Sequence, residues 1–153
     1  MKLLFLTGSR SEWGYIKPIL ELCKIKKIKY SICVTNMHLL NSHGLAINEI
    51  IKDGFKVDYK IYMTLEGGNH YTMAKSMGVF HSSFIDVLLN EKPNWLVLAG
   101  DRNETLIGAI SIRAYNAQKS FMDIVEKKFT FNTRARLTFG FGGPWLTIRM
   151  TML

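Results

Sequence analysis

The sequence predicts an α/β fold built on a Rossmann-like, doubly wound parallel sheet. Short apolar runs alternate four times with amphipathic helical stretches, and the connections between them are brief. Most of the runs are continuously apolar, as strands covered on both faces are. In such a sheet three strand ends, Gly8 to Arg10, Asn36 to His38 and Gly100 to Arg102, open on one edge. That is the edge where doubly wound folds bind ligands.

The first strand is Lys2 to Leu6, ended by Gly8. Ser9 with Glu12 three residues later has capping-box spacing, and Trp13, Ile16, Leu20 and Cys23 recur along one face of the helix that follows. The turn from Thr7 to Arg10 therefore joins the carboxyl end of a strand to the start of a helix. Free backbone N–H groups and the helix dipole favour an anion there, and Arg10 adds a cationic fork suited to phosphate, although the same turn also reads as a solvated loop. Lys24 to Lys27 forms a solvated basic helix end that complements the dipole. Tyr30 to Val34 is the second strand, leaving through Thr35, Asn36, Met37 and His38. Ser42 opens a helical stretch carrying Leu45, Ile47, Ile50 and Ile51, stopped by Asp53 and Gly54.

Phe55 to Ile61 alternates Val57, Tyr59 and Ile61 with Lys56, Asp58 and Lys60, the pattern of a half-exposed edge strand. Met63 to Asn69 is a loop. Tyr71 to Leu89 is a long helix whose stripe of Met73, Met77, Phe80, Phe84 and Leu88 belongs to the core rather than to a cofactor. Pro93 breaks it. Trp95 to Ala99 is the clearest buried strand, running into Gly100, Asp101 and Arg102 and then a helix from about Asn103 to Asn116.

A chain of 153 residues that is 48% apolar suffices for one domain with a real core. No apolar run reaches the length of a membrane span, and Gly8, Ser9, Arg10 and Glu12 interrupt the first run before a signal-peptide core forms. The expectation is a cytoplasmic protein with no membrane partner. Cys23 and Cys33 fall at core positions and read as reduced thiols rather than as a disulfide or metal site. The pairing of His38 with His43 has poor metal spacing, so no metal is expected. The net charge of +8 divides unevenly: residues 1–116 carry 14 Lys and Arg against 10 Asp and Glu, and residues 117–153 carry 6 against 2. Lys and Arg are not interleaved with stacking aromatics over residues 1–116, which argues against a nucleic-acid partner.

The alternating pattern ends at Asn116. A fifth strand is due there, and Phe121 to Val125, with Asp123 in its middle, is the only candidate. Arg113 would be costly if it faced the core of its helix. Residues 1–116 thus form a partial domain, and residues 117–153 an atypical basic tail with two readings: a flexible segment, or residues that a frame change or truncation put in place of the native continuation.

Several stretches resemble, in order and at the expected spacing, landmarks of the hydrolysing UDP-N-acetylglucosamine 2-epimerases: Thr7 to Gly14, Val34 to Leu39, Gly44, Glu49 with Ile50, and Leu98 to Arg102. The resemblance implies the incomplete first half of a glycosyltransferase-B-like, two-domain fold that holds a UDP-sugar between Rossmann-like halves. It implies no metal, no tightly bound cofactor, and a homo-oligomer for the full-length family. The implied reaction eliminates UDP to leave a glycal, then hydrates it to N-acetylmannosamine or a related sugar for sialic or legionaminic acid. Carried over by position, Asp101 would serve in acid/base catalysis. Arg10 would contact phosphate, His38 and Glu12 would lie on the substrate side, and Arg102 and Glu104 would support the loop. Each keeps a plainer alternative: Asp101 as a helix cap, Glu12 as the capping-box acid, His38 as a loop histidine. Asn36 stands where the family usually has glycine, and the motif that supplies a second catalytic carboxylate after Asn116 is missing. The resemblance therefore implies a chain inactive alone, and the alternative reading is a non-catalytic nucleotide- or phosphate-binding module.

Overall fold

The computed structural model describes residues 1–126, with side chains over residues 1–116. Strand β1 (Lys2–Thr7) runs into helix α1 (Arg10–Ile25), β2 (Lys29–Thr35) into α2 (Ile47–Lys52), β3 (Tyr59–Ile61) into α3 (His70–Glu91), and β4 (Trp95–Val97) into α4 (Asn103–Glu126). All strand pairs are parallel, in the order β3-β2-β1-β4, with Leu3 opposite both Tyr30 and Trp95. The chain order reverses direction across the sheet between β1 and β4, and a crevice opens at the carboxyl ends of the strands at such a point.

The alternation of side chains along a strand divides the core in two. Leu4 and Leu6 of β1 and Cys33 of β2 face one side, where Phe80, Phe84 and Leu88 of α3 and Ala109 and Ile112 of α4 cover them. Phe5, Ile32 and Val34 face the other, against Trp13, Ile16, Leu20 and Cys23 of α1 and Ile47 and Ile50 of α2. Both cysteines are free and buried, one on each face. Phe80 and Phe84 stack at 5.0 Å, and Trp13 meets Phe55 edge-on at 5.3 Å. Each fully buried side chain of this size stabilises the fold by about 1.5–3 kcal/mol.

The structure departs from the sequence reading in four places. The stretch from Ser42 is not one helix: two 3₁₀ turns, Asn36–Leu39 and Asn41–His43, precede α2, because Gly44 (φ 71°) and Leu45 (φ 47°) take left-handed backbone that a helix cannot continue through. The edge strand pairs only over Tyr59–Ile61, since Phe55 turns in against Trp13. Asp58 extends the ladder by a side chain instead, its Oδ2 accepting from the Ile32 N–H at 3.0 Å. At the start of α3, Met73 is 48% exposed, and the packed stripe is Phe80, Phe84 and Leu88. The candidate fifth strand Phe121 to Val125 lies inside α4, which runs on through Glu126. Arg113 is exposed. Of the basic tail, the part beyond residue 126 lies outside the described residues.

Candidate functional site

Ser9 caps α1, its hydroxyl accepting from the Glu12 N–H at 3.5 Å, so the predicted start of this helix is where the spacing put it. The other half of a capping box is absent. Glu12 passes over Ser9, and its Oε2 accepts from the Gly8 N–H at 2.5 Å. That choice places the carboxyl in the gap between the ends of β1 and β4, where it is 2% exposed and where a Cβ on Gly100 would lie 3.2 Å from Oε1. Oε1 itself has no hydrogen-bond partner. Burial first, then the neighbouring Glu104, pushes the Glu12 carboxyl up to about 7, against the opposing pull of the Gly8 N–H.

Glu104, in the first turn of α4, is buried beside it. Its Oε1 pairs with Arg102 Nε at 2.8 Å, and its Oε2 accepts from Asn36 Nδ2 at 3.0 Å. Gly8 leaves room for this carboxylate, since a Cβ there would lie 2.0 Å from Glu104 Oε1. His38 is fully buried, with Nε2 3.0 Å from Thr7 Oγ1 and Nδ1 without a hydrogen bond. Burial holds its imidazole below the ordinary value and so neutral, only partly offset by the nearby Ser9 and Ala46 backbones. The turns after β1, β2 and β4 are thus tied together by side chains: Thr7 to His38, Asn36 to Glu104, and Glu12 against Gly100.

Over these turns opens a cleft of about 490 Å³. Its walls are Ser9, Arg10 and Ser11 from the start of α1, Met37, Ser42, His43, Gly44 and Ala46 from the turns after β2, and Arg102 from the turn after β4. Arg10 reaches across it to Glu49, Nε to Oε1 at 2.9 Å, with more than half of its side chain exposed. The cleft therefore offers two guanidinium groups, three serine hydroxyls and the amino end of a 16-residue helix, a donor set suited to a phosphate-bearing ligand. Among the described residues no group of three or more His, Cys, Asp or Glu is placed to hold a metal ion. Nor is any helix there long and apolar enough to cross a membrane.

A family model described as UDP-N-acetylglucosamine 2-epimerase matches residues 20–118. The chain belongs to the UDP-N-acetylglucosamine 2-epimerase family. Among curated relatives of the family, it is 37% identical over 111 residues to a hydrolysing UDP-N,N'-diacetylbacillosamine 2-epimerase of Legionella pneumophila, a match covering 72% of this chain and 29% of the relative. The UDP-GlcNAc 2-epimerase of Neisseria meningitidis bound to UDP-GlcNAc superposes with a TM-score of 0.59 at 26% identity, over 72% of this chain and 29% of that one. The Methanocaldococcus jannaschii UDP-GlcNAc 2-epimerase, in complex with UDP-GlcNAc and UDP, gives 0.63 at 26%, over 76% and 30%. The chain thus spans about 30% of the length of the epimerases it matches.

Of the residues singled out in the sequence, Arg10 and Arg102 line the cleft of this epimerase-family chain. His38 and Glu12 lie buried among the turns instead of on its walls, and Asp101 is exposed on the turn after β4 next to Arg102. Ser42 and His43, to which the sequence reading assigned no site role, line the cleft beside Gly44, one of the landmarks of the family resemblance. The readable signal was Gly44, a glycine between a short polar turn and an apolar helix face, the position of a left-handed break.

Proposed function

We propose that this chain supplies the amino-terminal part of a UDP-sugar 2-epimerase site, acting on a UDP-acetamido sugar by UDP elimination and glycal hydration. The supporting observation is the convergence of Arg10 and Arg102 on one cleft at the switch point of the sheet. Elimination of UDP leaves negative charge on the departing pyrophosphate, and two fixed guanidinium groups stabilise that charge where it develops. Asp101, exposed on the same turn as Arg102, is the acid/base candidate for the proton at C2. His38, neutral and buried against Thr7, ties the ends of β1 and β2 together beneath the cleft.

The chain matches about 30% of each relative, so it provides part of such a site, and catalysis requires the remaining groups to be held around the same carbons. Equilibrium dialysis against UDP-N-acetylglucosamine and UDP-N,N'-diacetylbacillosamine tests the reading. Saturable binding that Arg10→Ala and Arg102→Ala each weaken by about tenfold is expected, with no UDP released above background. Turnover of about 1 per second by the chain alone would sink the partial-site reading, and absence of binding would sink the assignment. In a catalytically complete context, Asp101→Asn should abolish the rate and leave binding intact; unchanged turnover would favour a non-catalytic phosphate-binding module.

A further inference from the structure

We propose that Asn36 is a positioning residue that sets the guanidinium of Arg102 in the cleft by way of Glu104, an assignment that rests on the cleft being the diphosphate site described above. Asn36 follows β2 in left-handed backbone, φ 50°, a conformation that a short amide side chain tolerates. Its carboxamide is engaged at both ends. Nδ2 donates to Glu104 Oε2 at 3.0 Å, and Oδ1 accepts from Thr64 Oγ1 at 3.2 Å. A flipped amide would set its oxygen against a carboxylate, two acceptors face to face, so the orientation is fixed by chemistry.

The two Glu104 oxygens are therefore divided, one to the Asn36 amide and the other to Arg102 Nε at 2.8 Å. Pairing through Nε leaves the outer N–H groups of Arg102 for the cleft that it lines. Glu104 is 1% exposed and stands beside Glu12. Without the amide, its Oε2 would be a buried, unpaired carboxylate oxygen facing a second carboxyl, and the side chain would rotate to recover a donor. Arg102 would move with it. Thr64, Asn36, Glu104 and Arg102 thus form a relay from the loop after β3 to the wall of the cleft.

Asn36→Gly tests this, because glycine adopts the left-handed backbone freely and the fold gains ease at that position while losing the amide. Two readouts on the full chain are the Arg102 Nε–H resonance in a ¹⁵N-correlated spectrum and the affinity for inorganic pyrophosphate. The expected result is an Nε–H signal that is sharp and shifted by its carboxylate in the unaltered chain but broadens toward the free-arginine position in Asn36→Gly. Pyrophosphate should bind the variant about five- to tenfold more weakly, with the chain still folded and its melting temperature modestly lowered, because the relaxed glycine backbone offsets only part of the unpaired Glu104 oxygen. Thr64→Val, which leaves the amide but removes the hydroxyl that orients it, should weaken binding about twofold. An unchanged Nε–H signal in Asn36→Gly, or equal pyrophosphate affinity in both proteins, overturns the proposal. Failure of pyrophosphate to bind the unaltered chain refutes the assignment of the cleft, and the Nε–H signal then decides the positioning role alone.

Discussion

Replacing Glu12 with glutamine removes one buried titration while keeping an acceptor for the Gly8 N–H. The folded chain holds this carboxyl at about 7 against an ordinary 4.5, chiefly through burial and then through Glu104. Because the folded-state value is the higher one, the folded chain binds this proton more tightly than the unfolded chain does. The stability it contributes is complete below pH 4.5 and is lost as the pH rises through 7, a change of about 3 kcal/mol. His38 contributes with the opposite sign, since burial favours its neutral form, but it is common to both proteins and cancels in their difference. Urea denaturation followed by tryptophan fluorescence at pH 5, 6, 7 and 8 reads this out. The two proteins should be about equally stable at pH 5, and Glu12→Gln more stable by about 3 kcal/mol at pH 8. Parallel stability curves for the two proteins would refute the claim that Glu12 carries a proton between the strand ends.

Gly8→Ala should cost about 3–5 kcal/mol in the same assay, because a Cβ 2.0 Å from Glu104 Oε1 forces that carboxylate off Arg102 and Asn36 in a buried site. Phe84→Ala should cost a similar amount by opening a cavity under α3 where Phe84 stacks on Phe80, with no effect on pyrophosphate affinity. At the opposite edge of the sheet, Glu91 accepts from Tyr59 at 2.7 Å and Ser31 at 2.8 Å and pairs with Lys2 at 2.6 Å. Burial alone would raise the Glu91 carboxyl, but these three donors hold it below the ordinary range. Its stabilisation is present above the unfolded value and is lost as the pH falls through the folded one, so Glu91→Gln should flatten the acid limb of a melting-temperature profile below about pH 4.5.

The sheet was legible because its strands are covered on both faces and so write continuous apolar runs, and because each helix repeats its buried face at helical spacing. Trp13, Ile16, Leu20 and Cys23 all pack where that spacing put them. The segment between β2 and α2 was not legible: a break at Gly44 and Leu45 depends on backbone sign, and Leu45 gives no local warning of a left-handed conformation. The fifth-strand candidate failed because an apolar run of five residues has no period to separate strand from helix, and the preceding helix continued through it. In the candidate site, the cations on the turns could be read from position in the motif. What could not be read was which side chains turn inward. Glu12 turns back to the Gly8 N–H four residues away, a local choice that its spacing from Ser9 did not reveal, and Asn36 bridges to a residue 68 positions away, a contact that only the folded sheet creates.

Titrating UDP into the ¹⁵N-labelled chain tests the central claim most directly. The account predicts saturable amide shifts confined to Ser9 through Ser11, Ser42 through Ala46 and the turn at Arg102, lost together in Arg10→Ala. Shifts clustered instead around Lys2 and Glu91 at the far edge of the sheet, or none at millimolar UDP, would contradict it.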